Sequence, residues 1–324
     1  MRRILQSALL AALLAGAAPA FAANQPTFEE AVALYSDKNY KAAYEVAAPL
    51  ATAGDARAMA MLGSLYEDGY GVPRDYNTAR SWYESAALNG HVGAMFQLSL
   101  LYLDGRLGKP DVVKGREWTL KAAEAGNGPA QHNLGLLYAG AGGSEPNWPE
   151  AAKWFRKAAE QNIGDAEYNL GVLYLEGKGV EQNTQQAAEW FKRAALKGLP
   201  DAALDYGVLV FRGEGVQKDE AIGAQWLIVS AQHGNPIAQN RVARLYAMGK
   251  GVKADPVEAA KWHILARNAG KGDQYLDDYI AKLPADQIAE AQNRAAAFKP
   301  QPMGGADAST AKATQVLKSD PAAN

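Results

Sequence analysis

Residues 166–198 read AEYNLGVLYLEGKGVEQNTQQAAEWFKRAALKG, and this arrangement of residue types returns along most of the 324-residue chain. The tryptophan of the stretch belongs to a set of six that stand 36 residues apart without a slip. A fixed period of about 20–50 residues is typical of stacked supersecondary units, each covering its neighbour's apolar face. The set comprises Trp82, Trp118, Trp154, Trp190, Trp226 and Trp262. The period therefore predicts a repeat protein whose long surface is suited to interaction.

Each repeat predicts two helices. In the quoted stretch Leu170, Leu173 and Tyr174 share one helical face. We expect this first helix to end at Gly177, because glycine readily takes a left-handed conformation. The second helix carries the tryptophan and begins after an Asp or Asn, whose side chain can accept hydrogen bonds from the free N–H groups of the first turn. These six capping residues are Asp75, Asp111, Asn147, Asn183, Asp219 and Asp255.

Small residues recur beside the bulky ones, as in Leu170-Gly171 and Ala194-Ala195. We expect them to let helices approach closely, with the indoles buried between helices. The predicted fold is all-α, with six repeats over 55–270, an N-terminal capping helix pair over 23–54 and C-terminal capping helices over 271–298. Residues 299–324 are rich in Pro, Gly, Ala, Ser and Lys, which predicts a disordered tail.

The first 22 residues have the features of a secretion signal. A positive start is followed by a mostly apolar stretch from Leu5 to Leu14, and Ala20-Phe21-Ala22 has the form of a cleavage site. The apolar stretch is shorter than the roughly 20 residues that a membrane helix needs. We therefore expect cleavage after Ala22 and a periplasmic or secreted product without a membrane span.

Composition excludes several classes of protein. The chain has no cysteine, so we expect neither disulfides nor a lipid anchor on a cysteine. Lys and Arg number 33 and Asp and Glu 35. A nucleic-acid-binding protein usually shows a basic excess or stripe, so we expect no nucleic-acid partner.

The pattern A-x-x-x-L-G-x-L-Y-x-x-G-x-G-V, here Ala166 to Val180, is followed by A-x-x-W-[YF]-x-x-A-A-x-x-G, here Ala187 to Gly198. This combination resembles the Sel-one-like repeat, a relative of the tetratricopeptide repeat. The resemblance implies a right-handed α-solenoid of antiparallel helix pairs that acts as an adaptor or scaffold. Cysteine-rich members have been linked to β-lactam binding, and the absence of cysteine separates this chain from them.

No catalytic grouping stands out. The four histidines, His91, His132, His233 and His263, occupy four different repeat positions, so we expect structural or surface roles. The S-x-x-K sequence at Ser309 to Lys312 lacks the partner motifs of a penicillin-binding enzyme. The Gly-x-Gly sequences follow helices, unlike phosphate-binding loops, which follow strands. We expect no enzymatic activity, metal or cofactor.

One set of positions on the first helices lies outside the core face and is apolar in the middle repeats. We name it the apolar row: Phe96, Leu100, Leu103, His132, Leu136, Tyr168, Val172, Leu175, Leu204, Val208 and Phe211. A helix that is apolar on two faces is either buried on both or presents a binding surface. The row is therefore either a concave groove for a protein or peptide partner, or packing between repeats.

Trp148 stands in a Gly/Pro-rich segment where the usual Gly-x-Gly-Val form is lost. It is a candidate contact residue for a partner, with loop packing as the alternative. The favoured function is a monomeric, non-enzymatic scaffold. The alternatives are a cell-envelope enzyme or peptidoglycan or β-lactam binder, and a regulator of an envelope sensor or a secreted host-interaction factor.

Overall fold

The computed structural model describes residues 26–141 and 143–301, which form sixteen α-helices and no β-strand. The all-α prediction is confirmed. The predicted signal peptide and residues 302–324 lie outside the described residues. The helices are α1 (Phe28–Ser36), α2 (Tyr40–Thr52), α3 (Ala56–Asp68), α4 (Tyr76–Leu88), α5 (Val92–Leu103), α6 (Val112–Glu124), α7 (Gly128–Tyr138), α8 (Trp148–Glu160), α9 (Gly164–Glu176), α10 (Thr184–Leu196), α11 (Pro200–Arg212), α12 (Glu220–Gln232), α13 (Pro236–Met248), α14 (Pro256–Asn268), α15 (Gln274–Ile280) and α16 (Ala285–Ala296).

The chain divides into two compact units, one ending at Lys121 and the other beginning at Ala122, so the boundary falls inside α6. In the first unit α1 packs on α2, α2 on α3, α3 on α4 and α4 on α5. In the second unit the same order of contacts runs from α7 to α14, and α16 packs on α14. Packing between consecutive helices is the pattern expected of stacked helix pairs.

Side-chain caps begin the helices. All six predicted capping residues of the second helices are confirmed, each accepting a hydrogen bond from a first-turn N–H. Several first helices also begin with a side-chain cap, which was not predicted from the sequence. Asp55, Asn127 and Asn235 cap α3, α7 and α13, and the Nδ1 atom of His91 accepts from the N–H of Ala94 at 3.0 Å. One histidine thus has a structural role.

Left-handed residues end the helices. Gly177 caps α9 with a φ of 69°, as predicted. The second helices are each followed by a residue of positive φ, and in one repeat this residue is Asn162, with a φ of 64°. Gly105 is in register with Gly177 and has a φ of 78°, but α5 already ends at Leu103 with Asp104 as its cap.

A glycine on the first helix contacts a ring on the second helix of the same repeat. A Cβ added at Gly171 would lie 2.7 Å from the Phe191 ring, well inside van der Waals distance. The same contact joins Gly63 to Tyr83, at 2.6 Å, and Gly135 to Phe155, at 2.5 Å. We name it the glycine–ring contact. It confirms that small residues on the first helix let the two helices approach closely.

The residue after each tryptophan is therefore the consistently buried one, which corrects the sequence analysis. Six side chains at this position are buried: Tyr83, Thr119, Phe155, Phe191, Leu227 and His263. Among the indoles, those of Trp154, Trp226 and Trp262 are buried, but those of Trp82, Trp118 and Trp190 are only half-buried. A basic side chain three residues further on lies over several indoles, as with Arg193 at 4.4 Å from the Trp190 ring centroid. The indole therefore extends from the core to the surface.

The loops contact the preceding repeat. Gly215 has a φ of 72°, and a Cβ there would lie 2.6 Å from the Thr184 carbonyl carbon at the start of α10. Gly179 lies in the same way against the backbone of Trp148 at the start of α8. A side chain at either glycine would separate the loop from the helix, so the Gly-x-Gly sequences are packed turns.

Replacement of Gly171 by alanine tests the glycine–ring contact. The new Cβ would force α9 and α10 apart, so Gly171→Ala should lower the free energy of unfolding by about 1–3 kcal/mol. Urea unfolding followed by circular dichroism measures this loss. Adding Phe191→Leu, which shrinks the facing side chain, should cost less than the sum of the two single changes. Gly272→Ala is the control, because its Cβ would meet nothing closer than 4.0 Å. If the double variant lost as much free energy of unfolding as the two single variants together, the glycine–ring contact would be contradicted.

Candidate partner-binding surface

The apolar row is half-buried. Ten of its eleven side chains are partly buried, and that of Leu204 is buried, with 7% of its surface exposed. The large apolar side chains that are most exposed lie elsewhere, with Leu88 at 81% and Val113 at 79%. The row is therefore not an open apolar patch, since part of every side chain already contacts the protein.

In the second unit the row takes part in packing between repeats. Tyr168, Val172 and Leu175 of α9 pack against a buried cluster that includes residues of α10 and α11. The Tyr168 ring lies 5.6 Å from that of Phe191, centroid to centroid. On α11, Leu204 is part of the next cluster, and Val208 and Phe211 pack against it. The structure thus places the row residues of α9 on one buried cluster and those of α11 on the next.

His132, Leu136 and Trp148 lie at the start of the second unit. The His132 ring is 5.7 Å from that of Phe155, and Leu136 and Trp148 pack against the buried cluster of α8 and α9. Trp148 is the first residue of α8, so its predicted place in a loop is wrong. Its indole is half-buried, with the Lys178 Nζ atom 5.0 Å from the ring centroid.

The first unit holds the remaining three residues of the row, all on α5. Phe96, Leu100 and Leu103 are half-buried. Leu103 lies against Gly115 of α6, where an added Cβ would come within 2.5 Å of the Leu103 side chain. These residues form a strip on α5 within the first unit.

Polar pairs connect the first helices of successive repeats. The Nε2 atom of His132 is 3.0 Å from the Nδ2 atom of Asn169, and the Tyr168 hydroxyl donates to Oδ2 of Asp205 at 3.1 Å. Both pairs join residues 37 apart, so one partner belongs to the row and the other follows the next row position. These pairs were not predicted from the sequence. The signal was the polar type of the residues that follow row positions, such as Asn133, Asn169 and Asp205.

Burial shifts the protonation of these groups. It lowers the pKa of His132, which favours the neutral imidazole. It also raises the pKa of Asp205, although the Tyr168 hydroxyl and Arg241 oppose this shift. The pKa of Tyr168 rises through burial and the nearby Asp205 carboxylate, so its hydroxyl remains a hydrogen-bond donor.

A buried carboxylate links the two helices of one repeat. Glu167 on α9 is fully buried and forms an ion pair with Arg193 of α10 at 2.8 Å and another with Lys197, the residue that follows α10. The equivalent residue in two other repeats is a buried glutamine, Gln131 or Gln239, whose side-chain amide donates to a backbone carbonyl. This position therefore supports packing away from the row.

A cavity of about 250 Å³ opens beside the end of the row in the second unit. We name it the basic cavity. Its apolar lining is Val208, Phe211, Leu227, Leu245 and Met248, and its charged lining is Arg212, Arg241, Arg244 and Lys250. No carboxylate lines it among the described residues. Val208 and Phe211 belong to the row predicted from the sequence, whereas the four cations that line the same cavity were not predicted.

Residues 26–141 and 143–301 hold no group of three or more His, Asp or Glu side chains that could bind a metal ion. Over the same residues, none of the helices combines the length and apolar character that crossing a bilayer requires.

The Asp205 carboxyl predicts a pH dependence of stability. Its pKa is higher in the folded protein than in an unfolded chain, so the folded state binds the proton more tightly. Its contribution therefore favours folding at low pH and declines as pH rises from the ordinary carboxyl range through the raised pKa. Asp205→Asn removes this titration and keeps an oxygen for the Tyr168 hydroxyl. The variant should lose less free energy of unfolding than the parent between about pH 4 and about pH 7.

Urea unfolding at a series of pH values measures the difference. Glu189→Gln, at an exposed position of α10, is the control and should keep the parental dependence. Identical slopes for Asp205→Asn and the parent would show that the Asp205 carboxyl has its ordinary pKa.

Comparison with known proteins places these features in a family. The chain matches the Sel1 repeat over six consecutive blocks, at residues 56–91, 92–127, 128–163, 164–199, 200–235 and 236–271. No curated protein matches it. Among solved structures, it is similar to c5321, a protective antigen of uropathogenic Escherichia coli with an SLR fold, at 28% identity and a TM-score of 0.74.

That similarity covers 90% of this chain but 64% of c5321, so the chain spans less than two thirds of that protein. A Sel1 repeat protein from Oxalobacter formigenes is 30% identical, with a TM-score of 0.65, over 75% of this chain and 100% of the other. Both neighbours share the helix-pair architecture described above. The six repeats cover most of the sequence, and the chain belongs to the Sel1 repeat family.

Proposed function

We propose that this chain is a non-enzymatic scaffold that binds a protein partner along the apolar row. Membership of the Sel1 repeat family supports a role in protein–protein interaction. The observation on which the proposal rests is the half-buried state of the row. Its side chains are fixed by packing on one side and still present apolar surface on the other.

Rigidity of this surface supports binding. The polar pairs His132–Asn169 and Tyr168–Asp205 hold neighbouring first helices in register. A surface that is ordered before binding loses little conformational entropy when a partner docks. Apolar area buried there would contribute roughly 25 cal/mol per Å². The row therefore offers a preformed apolar strip rather than a flexible one.

The proposal includes export to the periplasm or beyond the cell. Support comes from the sequence of residues 1–22, which has a positive start, an apolar stretch and an A-x-A site. The description of c5321 as a protective antigen agrees with exposure of that protein to host defences. A scaffold at this location would act on envelope or extracellular proteins.

Site-specific photo-crosslinking tests the row as a binding surface. A photoreactive phenylalanine analogue at Val172 or Val208, both half-buried in the row, should capture the same partner protein in intact cells. The control position is Leu196, which is 38% exposed on α10 and lies outside the row. Mass spectrometry identifies the captured protein. Equal capture from Leu196, or no common protein from the two row positions, would contradict the proposal.

Processing of the N-terminus tests export separately. Protein recovered from the periplasm or the medium should begin at Ala23, as determined by N-terminal sequencing. Replacing Leu9 and Leu10 by arginine interrupts the apolar stretch and should leave the full-length precursor inside the cell. Recovery of an intact Met1 terminus outside the cytoplasm would contradict the predicted cleavage.

A further inference from the structure

The basic cavity departs from the repeat pattern in a way that the fold does not require. Position 241 is Met61, Gln97, Asn133, Asn169 or Asp205 in the other repeats, and position 244 is Ser64, Leu100, Leu136, Val172 or Val208. The equivalents of Arg212 are Asp68, Asp104, Gly140, Glu176 and Met248. None of these residues is basic. Three cations therefore converge on one cavity at positions where no other repeat has a cation.

The charges of this cavity are incompletely paired. Arg244 forms an ion pair with Asp273 at 2.5 Å, and Arg212 forms one with Glu214 at 3.5 Å. Arg241 has no hydrogen bond or ion pair with any residue in the described part of the chain. Its charge is attracted by Asp205 without contact and is repelled by Arg212. Arg241 therefore has its full set of guanidinium donors free for an anion.

The apolar lining restricts what the anion can be attached to. Phe211, Leu227 and Leu245 form a surface on which water gains few hydrogen bonds, so an apolar group is favoured there. A volume of about 250 Å³ is below the roughly 300 Å³ at which small-molecule sites begin. It suits one large side chain better than a whole cofactor. The required ligand thus combines one bulky apolar side chain with adjacent negative charge.

We propose that the basic cavity binds an acidic peptide segment of a partner protein, with a large apolar side chain on the cavity floor and flanking carboxylates on Arg241 and Arg212. This inference rests on the proposed function, since it gives the chemistry of the partner at one end of the row. Carboxylates pair with the planar guanidinium group through two hydrogen bonds, which fixes the peptide's orientation. The apolar strip of α9 and α11 then continues the contact beyond the cavity.

Charge complementarity also favours a partner over the chain's own C-terminal segment. Residues 302–324 contain two aspartates and two lysines, so they carry no excess of negative charge. A nucleic acid would bring negative charge, but it would leave the apolar floor covered only by sugar and base edges. An acidic peptide with a phenylalanine satisfies both parts of the cavity.

Fluorescence anisotropy with the processed full-length protein tests the proposal. The probe is the fluorescein-labelled peptide Gly-Ser-Glu-Asp-Phe-Leu-Asp-Glu. Binding should weaken about tenfold or more in Arg241→Gln, because a charge-assisted pair is lost. It should also weaken when NaCl is raised from about 0.05 M to about 0.5 M. Arg267→Gln, an exposed arginine of α14 that is paired with Asp277, is the matched control and should bind as the parent does.

Two further peptides separate the contribution of the acidic side chains to binding from that of the apolar side chains. A peptide with Asn and Gln in place of its acids, and one with serine in place of phenylalanine and leucine, should each bind about tenfold or more weakly. Unchanged circular dichroism and melting temperature in Arg241→Gln, whose arginine has no partner in the described residues, exclude a folding defect. A protein truncated after Gln301 should bind the probe with parental affinity. A marked gain in affinity would show that the chain's own C-terminal segment occupies the cavity, and would overturn the proposal.

Other outcomes overturn it as well. They are undetectable binding of the acidic peptide, equal affinity in Arg241→Gln, and displacement of the peptide by an equally charged oligothymidine at the same concentration. In each of these cases crosslinking from Val172 can still capture a partner, so the scaffold proposal would survive the loss of the cavity's assignment. If no partner is captured from Val172 and Val208 but the peptide still binds, the binding surface along the row is contradicted and the assignment of the basic cavity stands.

Discussion

The contact between a glycine on the first helix and a ring on the second determines how close the two helices of a repeat can lie. Gly63, Gly135 and Gly171 each face the ring of the residue that follows a tryptophan. In other repeats the pair in the same register differs: Ser99 with Thr119, Gly207 with Leu227 and Ala243 with His263. At least one member of each of these pairs is small, as close packing of the two helices requires. The glycine–ring contact therefore sets the distance between the two helices of a repeat, and the arrangement of the outer surface depends on this distance.

Polar contacts at one buried position of the first helix differ from repeat to repeat. Glu167 forms ion pairs with Arg193 and Lys197 of its own repeat, whereas Gln239 in the same register donates a hydrogen bond to the Ala231 carbonyl of the preceding repeat. Burial of these two side chains is tolerated because each has a polar partner. Neighbouring repeats can therefore differ in chemistry while they keep the same geometry, which frees the surface positions for function.

Departures from the repeat pattern carry the functional information. The apolar row recurs in the middle repeats, and we propose it as a surface for partners of apolar character. Among the described residues, the basic cavity lies where Arg241 and Arg244 replace uncharged or acidic residues of other repeats. Specificity for one partner would come from this combination of a general apolar strip and a single charged end.

The sequence by itself determined the fold class, the 36-residue period, the capping residues and most helix ends, because each depends on residues close together in the chain. It did not determine which aromatic residue would be buried, since Trp190 and Phe191 are adjacent and both apolar. Only the tertiary structure decided that Phe191 faces Gly171, that Tyr168 contacts Asp205, and that four cations line the same cavity as Phe211. The reason is physical: a period fixes the positions along each helix, whereas the angle and distance between helices decide which side chains meet.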